Sequence, residues 1–177
     1  AILPAEKVAA TDADEGYKAN DPLWNQEPTA GMELNEDTTF TATYVKDSFG
    51  YTIYQQLVDG DGNNVGDASV VKEGSLEFGT NILTGSEYVV PTKVTGEDGK
   101  EYIQYKIEGQ DNTIGTVAGQ NTVTIYYGVD EEGNSGEEIP DLLEIKVTYN
   151  VEHGTITNEV PAEFYIKRQG ENQPAIL

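Results

Sequence analysis

Along much of this chain every second residue changes character. In TTFTATYVK (38–46), Thr39, Thr41 and Thr43 fall on one face of an extended segment and Phe40, Ala42 and Tyr44 on the other. That is the period of a strand with one face against a core. The same period returns at 51–59 (YTIYQQLVD), 101–109 (EYIQYKIEG), 121–129 (NTVTIYYGV), 144–152 (EIKVTYNVE) and 162–169 (AEFYIKRQ), so at least six strands are predicted. Between them, DGDGNN (59–64), GEDGK (96–100) and DEEGNSGEE (130–138) gather the Gly, Asn and Asp that tolerate positive φ, and read as turns or linkers. Helix is scarce, because each of the 19 glycines costs about 1 kcal/mol in a helix interior. Two short helical stretches are predicted: PAEKVAATDA (4–13), with Pro4 at a first helical position, and TNILTGSEY (80–88). The fold class is therefore mainly β with at most one or two short helices, and the core of the first strand is expected to take in Phe40, Ala42, Tyr44 and Trp24.

Charge and missing residue types remove whole classes of function. Asp and Glu number 32 against 10 Lys and Arg, for a net charge of −22, so phosphate backbones and anionic membrane surfaces are repelled. With no cysteine there is no disulfide, thiol nucleophile or thiolate metal site. The single histidine, His153, sits in VEHG, a turn setting with no nucleophile motif beside it. No apolar run reaches the roughly 18 residues of a membrane span, and AILPAEKVAA lacks the basic start and apolar stretch of a signal peptide. The chain reads as a mature segment of something longer, suited in composition to the exterior of a bacterium.

YTIYQQLVDGDGNNVGDASVVKEGSLEFG (51–79) and YIQYKIEGQDNTIGTVAGQNTVTIYYGVD (102–130) run from a strand through an acidic-glycine turn to a tyrosine-rich strand and a closing V-T-I-Y-Y strand. This order resembles the mucin-binding-protein (MucBP) repeats of Gram-positive surface proteins. DEGYKANDPLWNQEPTAGMELNEDTTFTATYVKD (14–47), with Tyr17, Trp24 and the closing strand Asp37 to Tyr44, resembles the second half of the β-grasp-like repeats of internalin-type surface proteins. EIKVTYNVEHGTITNEVPAEFYIKRQGENQPAIL (144–177), with its V-T-Y-N-V-x-x-G hairpin, resembles the first half of the same repeat. The resemblances imply two elongated β-grasp-like modules: residues 48–129 form one, residues 1–47 and 142–177 are the two halves of the other, and 130–141 is an acidic linker. Ala1–Leu3 and Ala175–Leu177 are the same tripeptide, which fits tandem copies with a period three residues short of the 177.

Candidate chemistry is sparse. Asp59, Asp61 and Asn63 alternate as an acidic loop does when it offers oxygens to Ca²⁺, but an EF-hand pattern wants Gly and Glu where Asn64 and Val70 stand. The same residues make a tight hairpin turn with no metal, and both readings stay open. Isopeptide cross-linking, implied by the resemblance to surface proteins, would pair Lys106 or Lys146 with Asn121 or Asn150. Catalysis is not expected, and no cofactor beyond a weak Ca²⁺ site. The expected role is a non-catalytic tandem-repeat stalk segment of a bacterial cell-surface adhesin or extracellular fibre, with neighbouring copies of the repeat as partners. The alternatives are a mucin- or glycan-binding module facing a host glycoprotein, and a filament subunit assembled by strand complementation. Neither nucleic acid nor membrane insertion is expected.

Overall fold

The computed structural model describes residues 1–5, 11–19, 22–131, 139–157 and 163–167. Its elements are β1 (Leu23–Trp24), β2 (Ala42–Thr43), β3 (Ser48–Val58), β4 (Asn64–Glu77), α1 (Ile82–Ser86), β5 (Lys93–Thr95), β6 (Glu101–Glu108), β7 (Thr122–Asp130), a 3₁₀ turn at Asp141–Leu143, β8 (Glu144–Thr148) and β9 (Glu163–Lys167). They form a five-stranded sheet in the order β4-β3-β7-β6-β5 and two two-stranded sheets, β1-β2 and β8-β9. The mainly β class read from the alternation is what the chain adopts.

The chain gathers into two compact units, one of Ala1–Thr52, Glu73–Glu87 and Asp111–Thr122, the other of Ile53–Lys72, Tyr88–Gln110 and Val123–Leu177. In the first, the opening residues lie along Gly31–Leu34, with Leu3 N–H donating to Met32 O at 2.9 Å and Leu34 N–H to Ala1 O at 2.7 Å. Tyr17 bridges Lys46, and Tyr17 and Phe49 flank the ring of Phe78 at 6.2 and 6.4 Å. α1 is short but capped: Asn81 Oδ1 accepts from Thr84 N–H at 3.0 Å, and Glu87 closes the far end in the left-handed region. Its Ile82 and the nearby Ile114 are buried.

The second unit is built around β7. Val123, Ile125, Tyr127 and Val129 are all at most 2% exposed, so the alternation seen in NTVTIYYGV is a strand with one face in the core. β6 pairs antiparallel with β7 from Glu101↔Asp130 to Glu108↔Thr124, with a register shift between Gln104 and Lys106. Gly128, on the other face of β7, is buried as well. A Cβ there would lie 2.4 Å from Leu142 Cδ2 and 2.7 Å from Pro140 Cβ, so only glycine lets Pro140 and Leu142 seat on the strand.

Several expectations change. Phe40, Ala42 and Tyr44 do alternate with exposed Thr39, Thr41 and Thr43, but they and Trp24 are half-buried, and regular pairing is confined to Leu23↔Thr43 and Trp24↔Ala42. Two short facing segments cannot enclose side chains of that size. β4, a 14-residue strand over Asn64–Glu77, stands where the alternation predicts none. The helical stretch predicted at 4–13 falls largely on 6–10, outside the described residues, and Thr11–Ala13 are not helical.

The units also cut across the sequence division at 47/48 and 129/130: Phe78 N–H donates to Asp47 O at 2.8 Å, and Asp130 is still in β7. Of the linker read at 130–141, residues 132–138 lie outside the described residues, and Pro140 at its end is buried. Segments 1–47 and 142–177 fall in different units. Among the described residues, β1 pairs with β2 and β8 with β9, from Glu144↔Lys167 to Thr148↔Glu163. Local closure of a short loop costs less entropy than joining segments about a hundred residues apart.

Candidate functional site

The predicted metal-ligand loop is built as a turn. Asp59 N–H donates to Asn63 O at 2.9 Å and closes the β3–β4 hairpin, while Gly62 takes φ +87°. Asp59 Oδ1 accepts from the N–H of Asn63 at 2.8 Å and of Asp61 at 3.0 Å, and from Asn63 Nδ2 at 3.3 Å. The Asn63 backbone N–H first, then its side-chain amide, hold the Asp59 carboxyl below its ordinary value. Asp59 Oδ1 is thus committed to the turn, an Asx arrangement in which the side chain substitutes for a backbone acceptor.

A different acidic group converges in the same unit. Asp130 ends β7, Asp141 opens the 3₁₀ turn and Glu144 opens β8; one carboxylate oxygen from each lies within 4.8 Å of the others, and all three are half-buried. The Asp141 carboxylate accepts from the Glu131 N–H at 3.2 and 3.3 Å. An all-oxygen donor set is that of a hard cation such as Ca²⁺, which takes 6–8 oxygens. In sequence Asp130 and Asp141 stand at the two ends of the stretch read as linker and Glu144 lies beyond it; the Glu131–Asp141 bond and the seating of Pro140 and Leu142 on Gly128 draw those ends together.

Two grooves accompany these clusters, one in each unit. In the first unit, Trp24 lines an open groove of about 370 Å³ with Leu3, Pro28 and Phe40, and with Thr11 and Thr41 at its polar side. In the second, a groove of about 520 Å³ runs between Val65–Ser69 of β4 and the β5–β6 turn at Thr95–Asp98, over Gln55, Leu57 and Tyr102. Asp67, Glu97 and Asp98 make it acidic. Asp98 is held in place: its carboxylate accepts from Lys100 N–H at 3.0 Å and from Tyr102 Oη–H at 2.9 Å. The first of these bonds is the main cause of its lowered pKa. Burial, then the Asp98 contact, pushes the Tyr102 phenol up, and burial first, with the charge of Tyr88 second, pushes Tyr127 up to about 12.

The remaining sequence candidates do not come together. His153 is exposed in its turn at φ +60°. Lys106 is exposed and lies over the Tyr126 ring at 4.7 Å, and Lys146 is exposed and meets Glu163 at 3.0 Å. Asn121 is 5% exposed, but its amide serves the backbone, donating to Gly50 O and Gly115 O at 3.0 Å each and accepting from Gly115 N–H at 2.8 Å. Asn150 is exposed. A lysine buried against an asparagine, the requirement for an isopeptide bond, does not arise from these four residues.

Among the described residues no helix is long and apolar enough to cross a membrane. Comparison with protein-family models, with curated proteins and with solved structures finds no match.

Proposed function

We propose that the chain is a non-catalytic, tandem-repeat stalk segment of a bacterial cell-surface adhesin or extracellular fibre. The observation that carries this reading is the pair of two-stranded sheets, β1-β2 near the start of the chain and β8-β9 near its end. A lone two-stranded sheet is marginal in water, and three or more strands or a packed neighbour are needed for independent stability. The chain that follows β8 leaves Tyr149 and Val151 46% exposed and Ile156 37%. Neighbouring copies in a series supply the missing cover, and the net charge of −22 favours an extended array. The resemblance to MucBP and internalin-type repeats points the same way.

The test is a polypeptide of two copies in series compared with one. Hydrogen exchange of the β8-β9 amides of the first copy should slow at least tenfold when a second copy follows. Equal exchange in both would remove the reason for reading the segment as a repeat. A mucin- or glycan-binding module is the second reading, favoured by the half-buried Trp24 in its open groove, since an aromatic ring presents a flat apolar face beside the hydroxyls of Thr11 and Thr41. Quenching of Trp24 fluorescence by a panel of neutral oligosaccharides would move the weight to that reading.

A further inference from the structure

The two outer strands of the five-stranded sheet are finished very differently. β5 is three residues long, follows Pro91 and begins with Lys93. Shortness, proline and lysine are the devices by which sheets keep their edges from pairing. β4 has 14 residues and no proline, and every residue from Asn64 to Val70 is exposed. Val65 and Val70 stand at 40% and 53%. Gly66 takes φ +68° and interrupts the strand once. From Asp67 to Val71 the strand is regular and carries a single charge, and among the described residues it has a strand on one side only. Its other side is a row of backbone donors and acceptors open to a further strand.

The wall beside this edge says what chemistry fits. Asp67 and Ser69 of β4 face Glu97 and Asp98 of the β5–β6 turn across the groove, and among the described residues no lysine or arginine lines it. Lys93 is paired with Glu101 at 3.2 Å, and Lys100 is drawn to Glu131. An anionic segment, or a second copy of a chain with a net charge of −22, meets repulsion there, while a segment bearing lysine or arginine meets complementary charge. We propose that residues Asp67–Val71 of β4 form a docking edge for an extended, cationic peptide segment of another protein. The segment adds as a sixth strand, and its basic side chains enter the groove against Asp67, Glu97 and Asp98. Backbone pairing supplies affinity and the acidic wall supplies the choice of partner, the usual division of labour in strand addition. This inference does not rest on the stalk reading.

The experiment titrates the isotope-labelled full chain with a short acetylated peptide alternating valine and lysine. Controls are its glutamate counterpart and a version N-methylated at every residue, which keeps its charges and loses its donors. Saturable binding of the lysine peptide should perturb the amides of Asp67–Val71. Binding should weaken about two- to fivefold in Asp67→Asn or Glu97→Gln, fall further with added salt, and vanish for both controls. Asp98 is left untouched, because it holds the turn. The proposal is overturned by lysine and glutamate peptides binding alike, by an N-methylated peptide binding as well as its parent, or by perturbations that map away from β4. Absence of saturable binding at millimolar peptide, or dimerisation of the chain through β4 at low salt, overturns it equally.

Discussion

Asn121 is the buried polar side chain whose removal has the most legible consequence. Its amide makes three hydrogen bonds, to Gly50 O, Gly115 O and Gly115 N–H, and it is 5% exposed. A buried hydrogen bond contributes about 0.5–1.5 kcal/mol net, and more is lost when its partner is left unsatisfied. Gly50 is exposed and Gly115 half-buried, so water re-solvates part of what Asn121→Ala abandons. The three bonds then put the cost at about 2–3 kcal/mol, or a melting point lower by about 5–10 °C for a chain of this length. Asn121→Asp sharpens the argument. A carboxylate at this position faces two carbonyl oxygens, which raises its folded pKa above the unfolded value near 3.9. Its penalty relative to wild type should be smallest at about pH 3, and should grow as the pH rises through the raised folded pKa. Urea titrations of the three proteins at low and neutral pH measure both effects. A cost under about 1 kcal/mol for Asn121→Ala, or a penalty for Asn121→Asp that does not grow with pH, would show that the amide does not clamp these strands. The intact mass of the wild type should equal its sequence mass, because an asparagine spent on three backbone bonds is not joined to a lysine.

Gly128→Ala should destabilise by about 1–3 kcal/mol through overpacking against Leu142 and Pro140, read as a lower urea midpoint at unchanged slope. Trp24→Ala should cost about 2 kcal/mol rather than the 3–5 of a fully buried large aromatic, because Trp24 is half-buried in an open groove; thermal melts distinguish the two. Asp59→Ala should lower the melting temperature at neutral pH. Since the native Asp59 carboxyl titrates below its ordinary value of 3.8, its contribution is present above that value and is lost as pH falls through the lowered one, so the gap between wild type and variant should narrow as the pH is taken below 3.8.

The strands that were legible in the sequence are those with one buried face. β7 shows it best: Val123, Ile125, Tyr127 and Val129 must all point inward, and a period of two is the only spacing that does so. β4 escaped because both of its faces are exposed from Asn64 to Val70, so no apolar alternation is demanded of NVGDASV, and its strand form rests on pairing with β3. TTFTATYVK carries the alternation yet pairs as a regular strand over Ala42–Thr43 only, with an isolated bridge from Lys46 to Tyr17, since a pattern states which face is apolar and not how much partner strand is present. The turn at Asp59–Asn63 was readable because its residues act on their own backbone. The trio Asp130, Asp141 and Glu144 was not, because its geometry depends on Pro140 and Leu142 finding Gly128, a contact that no local spacing announces.

The charge of the chain bears on its open edge in a way that salt can reveal. A long unprotected edge strand is ordinarily a route to self-association, and native sheets block it with local devices. From Asp67 to Val71, β4 has none but Asp67 itself, so an excess of 22 negative charges is left to keep two copies apart by long-range repulsion. That repulsion has a range of about 10 Å at 0.1 M salt and about 3 Å at 1 M. Attraction of a cationic segment to the groove at Asp67, Glu97 and Asp98 is screened over the same distances. The two kinds of pairing must therefore respond to salt in opposite directions: binding of a cationic strand weakens while pairing of β4 with β4 strengthens. Light scattering should find a monomer at low ionic strength. Any dimer should appear first at about 1 M salt, and Ala68→Lys, which places a cation on the edge of each copy, should abolish it. A dimer that forms at low salt and dissolves at high salt would mean that the copies are held by ion pairs elsewhere, and that charge does not guard this edge.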